Sequence, residues 1–584
     1  MKHLFCILAI VAAGHSSVLL ANNIAVSNAV TTGQNTTGGV NAATNFTLVE
    51  FDLSWENSWL ASTGPSNWDA AWVFVKFMVG VSNPSFSNVT LTNATNTVTL
   101  TSVANLRVGM PVRITTGSST LTAGTVITAI NPITNVVTLS NNATTTASNN
   151  ALEFIRIWEH ASLDADANHH TAPAGSTIDV PSDSMGVFIY RSANGTGTFS
   201  LSNVQLRWVY GTNGVRDDAV LQVQVFALEM VWVPQAAFAA GDGANGFTLT
   251  TINTATANTL PAGSGALGGA AGGYPTGQTA PDPSWPNGYD GFYCMKYEIS
   301  QGDYRDFLNT LTYTQQTSRA ASVTGVAGTA ALTALSNANR NGLDIQTPGV
   351  AASFTPAVYA CNLDGDGNYN ETDDGEWIAC NFLSWMDGCA YVDWAGLRPM
   401  TELEYEKACR GDQAAVSGEY AWGSASITGA TGINPNSGAN NETFSNAGAN
   451  CAYNNSGGVQ GPLRVGAFAG GATTRAQAGA SYYGIMELSG NLWERAVTIG
   501  NATGRSFTGL NGNGQLSPAG HANQSLWPGI DNNSVVIGAT GSGFRGGAWL
   551  YAASNARVSD RFFAAHTVTD RVSHYGFRGV RVFP

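Results

Sequence analysis

Apolar and polar residues alternate in short bursts over the first 230 positions. Residues 46–55 (FTLVEFDLSW) and 72–79 (WVFVKFMV) are rich in aromatic and β-branched side chains with a partial period of two, the pattern of half-buried strands. Residues 152–161, 185–190, 198–209 and 219–232 continue it, and turn sequences at 192–195 (SANG) and 211–214 (GTNG) separate the runs. Six or more short strands with no helical period predict an antiparallel β-sandwich built from residues 22–84 and 151–229. Trp55, Trp59, Trp68 and Trp72 are expected to fill its core or line one edge. The sharper alternative for them is a platform that stacks on carbohydrate.

Residues 85–150 have another texture, rich in Thr, Asn, Val and Ser and nearly free of aromatics. Short strands are predicted at 98–106, 111–115, 125–130 and 135–139, giving a small β domain inserted into the first and suited to decoration or subunit contacts.

From residue 230 the pattern changes. A strand and Gly-rich turn (230–243) lead into a Gly/Ala/Thr/Pro loop at 248–287 that is expected to be exposed. A strand follows at 291–300. Tyr304, Phe307, Leu308 and Leu311 then recur at helical spacing, a second helix is predicted over 381–394, and Thr401 opens a third. Glu404 completes a capping box with Thr401, and Gly411 ends that helix. The last hundred residues carry three Gly/Arg/Trp clusters: 484–495 (GIMELSGNLWER), 544–549 (FRGGAW) and 576–582 (GFRGVRV). Gly allows left-handed backbone, Trp contributes large buried area, and Arg presents a planar fork of donors. The expectation is a loop-rich domain tied together by polar contacts, with Arg545, Arg578 and Arg581 fixing loops.

Composition narrows the function. Charged residues make up 11% of the chain, the net charge is −14, and Lys occurs only at 2, 76, 296 and 407. Such a surface has no general attraction for nucleic acid or anionic membranes, and divalent cations are its more natural partners. Lys2 and His3, an apolar run at 4–13 and a small-residue site before Asn22 predict a signal peptide over 1–21. The destination is then secreted, extracellular or cell-surface in a bacterium, with no membrane span once the signal is removed. Of seven cysteines, Cys6 lies inside the expected signal, and Cys294, Cys361, Cys380, Cys389, Cys409 and Cys451 all fall in the later region. An even number in an exported chain predicts up to three disulfides, with fifteen pairings open in principle. None shows the CxxC spacing of a zinc site.

Residues 362–373 (NLDGDGNYNETD) match a calcium loop. Asn362, Asp364 and Asp366 stand at positions 1, 3 and 5, Gly367 at 6, Asn368 at 7 through its carbonyl, Asn370 at 9 and Asp373 at 12. Alternating oxygen donors around a tight turn suit one hard cation. Cys361 and Cys380 bracket the loop and are the favoured disulfide pair.

Residues 230–584 resemble the formylglycine-generating enzyme family, also called the sulfatase-modifying factor domain. The resemblance rests on 230–238 (MVWVPQAAF), 292–309 (FYCMKYEISQGDYRDFLN), 385–411 (WMDGCAYVDWAGLRPMTELEYEKACRG), 420–423 (YAWG) and the three closing clusters, in order. It implies an α+β, C-type-lectin-like fold. Enzymes of the family oxidise a substrate cysteine with a copper(I)-binding cysteine pair just after the second closing cluster. The matching positions here are Tyr551 and Ala556, and no cysteine follows Cys451, so no copper is expected. The resemblance also implies a second calcium held by the Glu487 carboxylate and the carbonyls of Leu488, Gly490 and Leu492.

Together these readings predict a secreted, non-catalytic, calcium-stabilised surface protein acting in extracellular structure, self-assembly (a filament or surface layer) or adhesion. Its partners would be further copies of itself or a glycan or other surface ligand. The alternative is an enzyme, either an oxidase of the formylglycine-generating type or another activity in the same cleft.

Overall fold

The computed structural model describes residues 23–582 except 244–248, 261, 263–273, 275, 434–436, 456–457 and 471. The expected signal at 1–21 and the middle of the Gly-rich loop lie outside the described residues. Strand outweighs helix, 31% against 11%, as the period of two requires.

Strand Phe46–Ala61 is hydrogen-bonded to Ala25–Asn35 on one side and Gly195–Trp208 on the other. Strand Asn67–Val79 pairs with Val187–Arg191 and, over its length, with Leu221–Val233. Val49, Phe51, Leu53 and Trp55 pack with Val73, Val75, Phe77 and Trp208 in one core. The opposite face of Asn67–Val79 is buried too: Ala70, Trp72 and Phe74 enter a second core with Tyr304, Phe307, Tyr391 and Trp394. Burial on both faces explains why this run reads as nearly continuous apolar sequence rather than strict alternation. Trp55 and Trp72 are fully buried, whereas Trp59 and Trp68 are half-buried. Trp68 stacks between Tyr190 and Trp232. His160 and His170 are buried and His169 is exposed.

Strands between residues 85 and 154 form two three-stranded sheets around Val89, Leu91, Val137, Leu139, Leu152 and Phe154. The run 152–161 is not one strand: Ala147–Phe154 pairs with Ser85–Leu91 and Val112–Thr116, and only Glu159–His160 pairs with Asn67–Val79. The expected strand at 98–106 shrinks to Thr97–Thr99, because Val103 and Leu106 close a turn.

The boundary near 230 falls inside strand Leu221–Val233. Its last residues, 230–233, pair with Phe292–Met295, which pairs with Gly579–Arg581, which pairs with Arg398–Pro399. A single path of backbone hydrogen bonds thus crosses from the N-terminal strands into the C-terminal region. Side chains reinforce the junction: Trp72 Nε1 donates to Ala395 O at 2.8 Å, Asn67 Nδ2 to Tyr483 O at 2.7 Å, and Lys76 Nζ to Trp394 O at 2.8 Å.

Helix α1 (Gln301–Asn309) carries a capping box from Ser300 and Asp303. Helix α2 (Tyr313–Arg319), which the pattern did not announce, is capped by Thr312 and Gln315. Helix α3 (Trp385–Trp394) begins later than residue 381, where Ser384 and Asp387 form its box. Helix α4 (Glu402–Arg410) is capped by Thr401 and Glu404 and ends at Gly411 with φ 70°, as predicted. Parts of the 248–287 loop are not exposed: Ile252, Ala257 and Trp285 lie in the second core.

The expected disulfides are not formed; all six cysteines are free and buried. They are spread over different clusters: Cys361, Cys380 and Cys389 in the second core, Cys294 and Cys409 near α4, and Cys451 beside Ala556. In such surroundings a thiol packs as a small apolar group.

Candidate functional site

Buried arginines of the closing clusters tie separate segments together, and Arg545 does so at α4. Arg545 donates to Glu402 Oε2 (3.2 Å), Glu406 Oε1 (2.7 Å) and Val558 O (2.6 Å). Arg561 shares Glu402 at 2.8 Å. Arg578 joins Glu494 (2.6 Å) to the carbonyls of Met295, Lys296 and Met486. Arg581 pairs with Asp183 of the N-terminal region at 2.5 Å and also reaches Gly396 O. Gly547, at φ 71°, lies where a Cβ would meet Ala556 N at 2.8 Å, so the turn after Arg545 requires glycine.

Tyr551 and Ala556 follow this turn. Ala556 is buried, and its carbonyl accepts from Ser489 Oγ at 2.7 Å. Tyr551 is half-buried in an aromatic group with Trp493, Phe563 and His574, its hydroxyl 3.4 Å from His574 Nε2. Burial, helped by the Arg495 charge, lowers the His574 pKa to about 4, so the ring is neutral at physiological pH. Arg495 lies beneath, 4.6 Å from the ring centres of both Phe544 and Tyr575. Cys451 packs with Ala556; burial pushes its thiol far up, and Sγ donates to Ser489 O at 3.1 Å. A thiol so placed is a poor nucleophile and a poor metal ligand.

The loop at 362–373 gathers three exposed carboxylates, Asp364, Asp366 and Glu371, whose oxygens lie within 4.8 Å of one another. Two of the expected ligands are there, and Glu371 joins them from loop position 10. Asn362 turns inward, donating to Asp344 (3.2 Å) and accepting from Gly367 N (3.2 Å). Asn370 accepts from Cys361 N (3.0 Å) and Arg305 Nη1 (2.9 Å). Asn368 donates through its backbone and side chain to Asp366. Asp373 is exposed and outside the cluster. A twelfth-position carboxylate normally returns to the ion on a following helix, and no helix follows here. Asp374, which the loop pattern passed over, is buried, takes Glu371 N at 2.7 Å, and is pushed up to about 7 by burial.

At the other expected calcium position, Glu487 adopts φ 54° and is buried. Its Oε1 accepts from Gly466 N at 2.9 Å, while the buried Oε2 has no hydrogen-bond partner among the described residues. Burial pushes this carboxyl up to about 7. The carbonyl of Leu488 accepts from Tyr405 Oη at 2.6 Å. Leu492 N and Asn491 Nδ2 both donate to Glu298, a buried carboxylate the sequence reading missed. Its signal was an acidic residue inside the apolar run 292–299. Gly490 is wedged against Cys451 and Ala452, a close approach that only glycine permits. A cavity of about 190 Å³ lies elsewhere, between Thr31, Tyr210, Arg216 and Leu221, and none of these site residues lines it.

The family model for the sulfatase-modifying factor enzyme 1-like domain matches residues 248–583, more than half of the chain. The chain belongs to the sulfatase-modifying factor family. Among solved structures, the chain is similar to PvdO from Pseudomonas aeruginosa, at 16% identity and a TM-score of 0.29, covering 61% of this chain and 94% of that one. No curated protein matches the chain. In this member of the sulfatase-modifying factor family, the Arg545, Arg578 and Arg581 clamps lie inside the matched region, while Asp183, the partner of Arg581, lies outside it.

Proposed function

We propose that this chain is a non-enzymatic member of the family, exported by a bacterium and stabilised by calcium, that works in extracellular assembly or adhesion. The observation that carries the reading is the pair of residues after the second closing cluster. Where the resemblance calls for two metal-binding thiols, a tyrosine engaged in an aromatic group and a packed alanine stand instead. Copper(I) selects soft thiolates, and neither side chain offers one. The N-terminal strands, read as a β-sandwich with an inserted module, would present the domain to a further copy or to a surface glycan. Asp364, Asp366 and Glu371 fit one hard cation, and the Glu487 oxygen without a hydrogen-bond partner among the described residues is a free oxygen donor for another. Calcium there would brace loops rather than act on a substrate.

Two experiments test the reading. Purified protein given copper(I) and a cysteine-containing peptide should neither retain the metal nor form aldehyde, and clear turnover would sink the proposal. Electron microscopy of concentrated material with calcium should reveal ordered polymers or sheets if assembly is the role. A protein that stays monomeric but binds a glycan array would move the role to adhesion.

A further inference from the structure

Three adjacent strands bring one lysine and two carboxylates together at the junction of the two halves. Asp69 lies on Asn67–Val79, Glu229 on Leu221–Val233, and Lys296 directly follows Phe292–Met295. Lys296 Nζ stands 3.1 Å from Asp69 Oδ2 and 2.8 Å from Glu229 Oε2. Side-chain exposure is 3% for Lys296, 0% for Asp69 and 2% for Glu229. The rings of Trp59 and Tyr297 flank the amine at 5.0 and 5.4 Å.

The donors on Asp69 are not symmetric. Oδ1 accepts from Ser58 Oγ (2.9 Å) and Trp59 N (3.0 Å), while Oδ2 faces Trp55 Nε1 (3.0 Å) and the lysine. Two fixed donors on one oxygen are what a tetrahedral oxyanion needs. The other oxygen, beside the amine, is placed to leave.

We propose that Lys296 and Asp69 become joined by an amide bond between Nζ and Cγ, with Glu229 carrying the protons. The resting ammonium, held charged by its two carboxylates, hands one proton to Glu229 and becomes the nucleophile. Its lone pair forms the N–C bond to Cγ while Ser58 and Trp59 hold Oδ1. The Cγ–Oδ2 bond then breaks, and Oδ2 leaves as water with two of the three original ammonium protons. An ammonium and a carboxylate become an amide and one water, with no oxidant and no change in net charge. Burial pushes the Glu229 carboxyl up to about 7, so it exchanges protons readily near neutrality. The bond can form only after folding, because residues 69 and 296 meet only when strand Leu221–Val233 has paired on both sides. It would covalently tie the N-terminal strands to the family domain.

The test is mass spectrometry of the full chain, purified in the folded state and held for days at pH 5–9. A digest should contain a branched peptide joining residues 69 and 296, about 18 Da lighter than its two parts. Asp69→Asn should lose ammonia instead, about 17 Da. Glu229→Gln, checked for native folding by circular dichroism, should leave the two peptides unlinked or join them at least tenfold more slowly. Recovery of only unlinked peptides from folded wild-type protein overturns the proposal. Linkage of Glu229→Gln at the wild-type rate overturns the role given to Glu229.

Discussion

Replacing Arg545 with Met tests whether the closing clusters are structural clamps. Arg545 is fully buried, as are both of its acidic partners. It supplies four hydrogen bonds: to the Glu402 carbonyl and carboxylate, to the Glu406 carboxylate and to the Val558 carbonyl. Met fills similar volume but leaves these acceptors facing an apolar side chain. Breaking a buried pair by removing one partner costs about 3–5 kcal/mol. Two features hold the loss below the sum of its parts. Glu402 keeps Arg561 (2.8 Å) together with Thr498 Oγ and Ile499 N, and Glu406 keeps Arg410 (3.4 Å) and Gly241 N. The expected loss is therefore about 3 kcal/mol, the low end of that range. The assay is urea unfolding followed by tryptophan fluorescence, accepting the number only where the slope m is unchanged. Arg545→Lys should recover less than half of the loss, because a point charge cannot serve Glu402, Glu406 and Val558 together. A loss below about 1 kcal/mol for Arg545→Met would refute the clamp reading, since that is within the reach of a single ordinary hydrogen bond.

Chelation of calcium should lower the thermal midpoint, and Asp364→Asn with Asp366→Asn should remove most of the difference between calcium and chelator; an unchanged midpoint in the wild type would rule out a structural ion. Burial raises the Asp393 carboxyl to about 6, against backbone hydrogen bonds from Asn513 and Asn523 that favour its charge. The native state therefore holds this proton more tightly than the unfolded chain. The Asp393 contribution is constant below about pH 4 and becomes unfavourable, on the order of 3 kcal/mol, as pH rises through 6. Asp393→Asn should flatten that part of the stability–pH profile. Gly388→Ala in α3 gains about 1 kcal/mol of helix propensity. It also places a methyl 1.8 Å from the Phe577 ring, so the measured result should be a net loss of stability.

Much of this was legible because local chemistry and global structure agree. Thr401, Glu404 and Gly411 announce α4 at both ends, and the structure uses all three. Strand Phe46–Ala61 shows its alternation because one face alone meets the core. Strand Ala25–Asn35 escaped notice because it lies at an edge and is mostly polar. Helix α2 escaped because its seven residues are too short to display a period, though Thr312 and Gln315 carried the cap signal. At the candidate cation loop, Asp364 and Asp366 were readable from spacing. Glu371 was not, because its place depends on Asn370 entering left-handed backbone at φ 62° and turning the chain back. The cysteines misled for another reason: an even count says nothing about which thiols approach each other in three dimensions.

The strand that spans residue 230 bears on how the molecule can be divided. The family match begins at residue 248, yet Phe292–Met295 takes one row of its hydrogen bonds from residues 230–233, and Trp72 and Phe74 help fill the space around Tyr391 and Trp394. A fragment trimmed to the recognisable family boundary would present a raw sheet edge and an opened core, both prone to aggregation. The stretch that defines kinship is shorter than the stretch that shares one sheet and one core. Expression work on this protein should therefore keep the N-terminal strands attached, or replace the missing strand deliberately.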